Sequence, residues 1–157
     1  MPAAERQHYI QLIREFPEQF AALVRPFTDE QLECRVAEGE WSIRQIVHHV
    51  ADSHINANNR FRLPLTEDNP TLPGYDQDKY ALQPDYALPL EISLSILPGL
   101  HARWVALLES LTEEQWNRTG VHSEWGTVTV ETIARNYSWH GQNHINQINT
   151  IREKHGF

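Results

Sequence analysis

The stretch YSWHGQNHINQI near the C-terminal end sets His140 and His144 four residues apart. On a helix these two imidazoles stand one above the other on a single face, close enough to share one divalent metal ion. Apolar or semi-apolar side chains at Val130, Ile133, Ala134, Tyr137, Ile148 and Ile151 follow the period of an amphipathic helix. Positions 140 and 144 fall within that stripe, so both rings are expected to point into the protein. A metal held there needs a third ligand from another element. The alternative is a pair of core histidines satisfied by hydrogen bonds.

The stretch WSIRQIVHHVADSHINANNRF offers three more imidazoles, His48, His49 and His54. Ser42 reads as the N-cap of a helix reaching about Leu63, with a core stripe of Ile43, Ile46, Val47, Val50, Ala57 and Phe61. At about 100° per residue His54 falls on this stripe, while His49 lies roughly 120° to one side of its centre. Periodicity alone therefore favours His54 as the inward-facing imidazole. His49 shares its flank with Ser53, Asn56 and Arg60. A polar line beside a core stripe is either a solvated face or the wall of a polar cavity. Asp52 falls opposite the stripe and reads as a surface group or one that supports a ligand from behind. His101, in LHARW, reads either as cavity lining or as a helix-packing residue.

These residues must be positioned by long helices. The first candidate runs from about Ala3 to Phe27, with Pro17 expected to kink or interrupt it. Thr28 to Gln31 forms a capping-box pattern, which Thr112 to Gln115 repeats. Residues 66–89, carrying Pro70, Pro73, Pro84 and Pro89, form a long connection with a helical turn around Gln77 to Leu82. Its Tyr75 and Tyr80 suit ligand contact, and the loop is expected to help close a site. A third helix is expected over Leu90 to Leu111, kinked at Pro98–Gly99. Its core set is Ile92, Leu94, Ile96, Leu97, Leu100, Trp104, Leu107, Leu108 and Leu111. HSEWGTVTV reads as a short extended segment before the last helix, with Thr129 as N-cap. Each half thus has a long helix, a capped turn, a loop and a histidine-bearing helix, the pattern of an approximate internal duplication. The fold class is all-α: a single domain over residues 1–157, a four-helix bundle with a long crossover loop between helices 2 and 3.

With 157 residues and a formal charge of -8, the chain has no basic patch, which excludes nucleic acid as the expected partner. The single cysteine, Cys34, precludes an internal disulfide and fits a reducing cytoplasm. It lies in QLECRVAEGE with no histidine nearby in sequence and reads as structural or incidental. The opening MPAAERQHYI lacks the features of a signal peptide, and apolar runs such as WVALL are too short to cross a membrane.

Together, WSIRQIVHHVADSHINANNRFRLPLTEDNP, LHARWVALLESL and YSWHGQNHINQI resemble the YfiT branch of the DinB-like superfamily, over about Tyr9 to Ile151. The resemblance implies a DinB/YfiT-like four-helix bundle, usually a homodimer, with zinc or nickel held by three histidines. The family places one ligand eight residues after the tryptophan that opens the second helix, which is His49 counting from Trp41. The other two match His140 and His144. This departs from the periodicity, which favours His54. Gln142, Asn143 and Gln147 stand where many relatives carry further histidines, a difference in what surrounds the ligands. Family members have been called metal-dependent hydrolases, and related proteins transfer thiols such as bacillithiol onto electrophiles. Three imidazoles leave a divalent metal with an open position, which serves either chemistry. The expected function is transfer of a low-molecular-weight thiol to an electrophile, with Ser53, Asn56 and Arg60 receiving an acidic thiol cofactor. Metal-dependent hydrolysis is the alternative, and a non-catalytic metal-stabilised binding protein a second.

Overall fold

Helix starts in this chain are written in short polar signatures. Thr28, Ser42 and Thr112 each accept a hydrogen bond from the backbone three residues on, and Gln31, Gln45 and Gln115 reach back to the cap. These closed capping boxes satisfy donors that a helix N-terminus leaves unpaired. Thr129 caps the last helix through the Thr132 amide, and Gly156 ends it in the left-handed region at φ 77.

A computed structural model describes residues 3–157. Met1 and Pro2, at the head of the stretch read for a signal peptide, lie outside the described residues. The helices are α1 (Ala3–Val24), α2 (Asp29–Leu32), α3 (Ile43–Thr66), α4 (Gln77–Tyr80), α5 (Leu90–Leu94), α6 (Ile96–Glu109), α7 (Glu113–Trp116) and α8 (Val130–His155). α1 packs on α8 and α6, and α3 packs on α8, α5 and α6. The bundle therefore runs α1, α8, α3, α6 around its axis, and the two histidine-bearing helices α3 and α8 lie side by side. No helix among the described residues is long and apolar enough to cross a membrane.

Three short strands close one end. Thr119–His122 (β2) and Gly126–Thr129 (β3) pair as an antiparallel hairpin, and Thr71–Leu72 (β1) runs parallel to β2. The positive φ of Gly126 is the backbone conformation this tight turn requires. The extended segment expected over HSEWGTVTV is thus one arm of a small sheet. β1 carries no sequence signal because two residues are too few to show alternation.

α1 is not interrupted at Pro17, which lies inside it, and the third helix breaks at Ser95 instead of at Pro98–Gly99. Pro98 is the third residue of α6, where the missing N–H is one a helix start leaves unpaired anyway. The inward positions Leu90, Leu94, Leu97, Trp104 and Leu108 nevertheless keep one helical spacing across Ser95. Ile92 and Ile96, expected in the core, fall outside it and are exposed at 53% and 39%.

The core divides into two apolar clusters. One holds Ile10, Ile13, Ala57, Phe61, Trp104, Ile133 and Tyr137; the other holds Phe16, Phe20, Ile46, Val50, Leu97, Ile148 and Ile151. On each of the four long helices the boundary falls at a polar layer, formed by His54, His101, His140 and His144 with Phe16 against them. Gly141 lets α1 approach this layer. A Cβ there would lie 2.5 Å from two carbons of the Phe16 ring, and that ring is held by Phe20, His54 and His101. Overpacking of this kind costs roughly 1–3 kcal/mol, against about 1 kcal/mol gained in helix propensity. Gly141→Ala is therefore expected to lower stability by up to about 2 kcal/mol in chemical denaturation. A more stable variant would show that the α1–α8 contact is loose.

Candidate metal centre

Three imidazoles from two adjacent helices meet at the layer between the clusters. Nitrogens of His49, His140 and His144 all lie within 4.8 Å of one another, the one such group among the described residues. His49 is buried, and the other two are half-buried. Nε2 of His140 and Nε2 of His144 are 3.3 Å apart. Zinc–nitrogen bonds of about 2.0–2.1 Å at tetrahedral angles put ligand nitrogens roughly 3.3–3.4 Å apart, so this pair already spans one edge of a tetrahedron.

The protonation states suit metal ligation. Burial drives the His49 pKa down to about 3, with His144 adding to the effect. Burial first, then His144 and His49, holds His140 well below the ordinary histidine value. Burial also lowers His144, although its bond to Gln147 opposes this. All three rings are neutral at pH 7, the form that ligates a metal. His144 Nδ1–H donates to Gln147 Oε1 at 2.9 Å, which leaves Nε2 as a lone-pair donor. Gln147 thus orients a ligand from behind.

His48 and His54 are placed differently. His48 Nε2–H donates to the Leu88 carbonyl, and its Nδ1 lies 2.8 Å from Ser93 Oγ, so both nitrogens are engaged. His54 is fully buried, as its place on the stripe indicates, but it bridges His140 and His101 and is not one of the three clustered ligands. His101 does not line the cavity beside the trio; its ring stacks on Phe16 and Trp104. Cys34, half-buried with Sγ near the Glu30 carbonyl, is outside the site.

Ser53 and Arg60, from the polar flank of α3, face a cavity and not solvent. The cavity has a volume of about 380 Å³ and is lined by Ser53, Arg60, Tyr75, Tyr137 and His140, with Trp125 and Trp139 exposed at its mouth. Ser53 Oγ lies 3.3 Å from His140 Nε2. Arg60, 5% exposed, donates to Tyr137 Oη at 2.6 Å and to the Pro73 carbonyl at 2.9 Å. It makes no ion pair among the described residues; its Nε has no hydrogen-bond partner, and its guanidinium sits 5.7 Å from the Trp125 ring centre. Asn56 is not among the lining residues, because its amide turns back to the Asp52 carbonyl. Asp52 accepts from Tyr86 Oη at 2.7 Å, away from the trio.

The crossover loop contributes directly. Gly74, Tyr75 and Gln77 line the cavity, and Tyr75 Oη is 3.5 Å from His49 Nδ1. Burial raises the Tyr75 pKa, so the hydroxyl keeps its proton as a donor. Tyr80 backs Tyr75 at a ring separation of 4.7 Å without lining the cavity. His122 and Trp125, stacked at 4.0 Å on the hairpin, escaped the sequence reading because β2 pairs with β1 only in three dimensions.

Known proteins share both the sequence pattern and the fold of this chain. The model of the DinB superfamily matches residues 12–148. A "Putative metal-dependent hydrolase" of Bacillus mycoides (strain KBAB4) is 40% identical over 93% of this chain and 84% of its own length. One of the same name from Bacillus cereus (strain B4264) matches to the same extent. A solved structure described as "YfiT from Bacillus subtilis is a probable metal-dependent hydrolase with an unusual four-helix bundle topology" superposes with a TM-score of 0.95 at 34% identity. The match covers 100% of this chain and 91% of that one.

Proposed function

The chain belongs to the DinB superfamily, and from that premise we propose that it is a divalent-metal-dependent enzyme transferring a low-molecular-weight, acidic thiol to a small electrophile. His49, His140 and His144 hold zinc or nickel. When bound, that ion supplies Lewis-acid activation of a thiol or of water. The homodimer and cytoplasmic setting implied by the family resemblance belong to the same reading.

The observation that carries the thiol reading is Arg60. A buried guanidinium without a carboxylate partner is costly, and this one lies on the wall of a cavity that also reaches His140. Arg135 adds a second positive group to the lining, so the cavity is locally cationic in a chain of net charge -8. An anionic group on the incoming thiol would satisfy Arg60 Nε and His122 Nε2, both buried and without hydrogen-bond partners. The Tyr75, Tyr137 and Ser53 side chains line the same cavity. They can donate to the reacting atom or hold its proton while Trp125 and Trp139 limit water at the mouth.

The test is adduct formation between a simple electrophile and a series of thiols by the zinc-loaded chain. Arg60→Gln is expected to raise KM for carboxylate-bearing thiols about tenfold, with metal content unchanged, the mark of lost uniform binding. Equal KM for acidic and neutral thiols in the unmodified chain would remove Arg60 from this role. Hydrolysis remains the second reading because Glu124, the one carboxylate lining the cavity, is available to take a proton from water. Under hydrolysis, ester or amide cleavage is fast, falls in Glu124→Gln and needs no thiol. Under thiol transfer, Glu124→Gln leaves adduct formation unchanged.

A further inference from the structure

The polar layer contains a chain of hydrogen bonds with a fixed direction. His140 Nδ1 lies 3.2 Å from His54 Nε2, His54 Nδ1 lies 2.8 Å from His101 Nε2, and His101 Nδ1 lies 2.6 Å from the Ile13 carbonyl oxygen. His54 is fully buried and His101 is 2% exposed, so unpaired nitrogens there would be costly. A carbonyl oxygen only accepts. A neutral imidazole has one donor and one acceptor. His101 must therefore carry its proton on Nδ1 and accept at Nε2. His54 must donate from Nδ1 and accept at Nε2. His140 must donate from Nδ1, which leaves Nε2 as a bare lone pair.

We infer that the Ile13 carbonyl, acting through His101 and His54, selects the tautomer of His140 and aims its Nε2 lone pair at the nitrogens of His144 and His49. His54 and His101 are then positioning residues. The Ile13 carbonyl is available because of Pro17. Any other residue at position 17 would spend that oxygen on its own amide, and proline has no amide hydrogen. Pro17 thus releases the acceptor that anchors the chain. His48 is the internal contrast, since its nitrogens face Leu88 and Ser93 and nothing directs a lone pair to the cluster. Among the described residues no carboxylate hydrogen-bonds to His54, so nothing in the layer supports an imidazolium form.

The tautomer claim stands independently of the enzymatic reading; its effect on metal affinity rests on it. The experiment is long-range proton–nitrogen correlation on the full chain, nitrogen-15-labelled and treated with chelator. The expected spectrum shows His101, His54 and His140 all protonated on Nδ1. His140 protonated on Nε2 would overturn the inference. In His101→Phe the anchor is lost, and an Nε2-protonated form of His140 is expected to appear. Zinc affinity by chelator competition should fall about 10–100-fold. His48→Phe, an equally buried change outside the chain, should alter neither. A folded His101→Phe with an unchanged His140 tautomer would also overturn it. Should that variant not fold, the spectrum of the unmodified chain decides alone. If the tautomers are as expected and zinc does not bind, the failure lies with the metal reading and not with the chain.

Discussion

His49→Ala, His140→Ala and His144→Ala are each expected to reduce metal content from about one ion per chain to near zero after dialysis. Structural zinc sites with four ligands are worth roughly 10–16 kcal/mol, so one imidazole is worth roughly 3 kcal/mol, or about 100–1000-fold in affinity. Elemental analysis and chelator competition read this directly. His48→Ala is the control and should keep its metal, because both of its nitrogens already serve Leu88 and Ser93. Retention in His49→Ala with loss in His48→Ala would mean that the second helix presents a different imidazole. Chelation should also lower the unfolding temperature of the unmodified chain, since a ligand bound only to the native state stabilises it by mass action.

Acid sensitivity of the metal-free chain is the second large effect. His49 and His101 are pushed down to about 3 and about 4, both by burial, His101 despite its bond to the Ile13 carbonyl. Unfolded histidines titrate near 6.5. From pH 8 to pH 5 the unfolded chain therefore gains a proton at each position while the native chain does not. Stability falls as pH drops through this window and levels off below the native values. Each of the two contributes about 2 kcal/mol by pH 5. Burial shifts His48, His54, His140 and His144 in the same direction. Denaturant unfolding of chelator-treated protein at pH 8, 6.5 and 5 measures the loss. A flat profile would mean that these rings reach water or a counter-charge in the native state. Saturating zinc should blunt the loss, because bound metal opposes protonation of three of the rings.

Much of this was legible in the sequence because helical structure is local. The capping boxes at Thr28 and Thr112, the caps Ser42 and Thr129, and the inward stripe of the last helix follow from residue type and spacing. The polar flank of His49, Ser53 and Arg60 was legible as a line, but not as cavity or surface. That depended on whether α8 packs beside it, a tertiary fact. The same limit hid the His101–His54–His140 chain, whose links come from α1, α6, α3 and α8 at separations beyond any periodic pattern. Pro17 was visible, but its consequence was not, because the group it releases is met by a side chain 88 residues away. Asn56 has the right spacing for the cavity, yet it spends its amide on its own helix, as short polar side chains often do.

The most direct test of the three-histidine centre is an anomalous-difference map from crystals of the zinc-loaded chain, measured at the zinc absorption edge. The expected result is one peak per chain, about 2.0–2.1 Å from a nitrogen of each of His49, His140 and His144, with Nε2 the ligating atom of His140 and His144. A peak between His54 and His101, or at the surface carboxylates, with nothing at the trio, would contradict it.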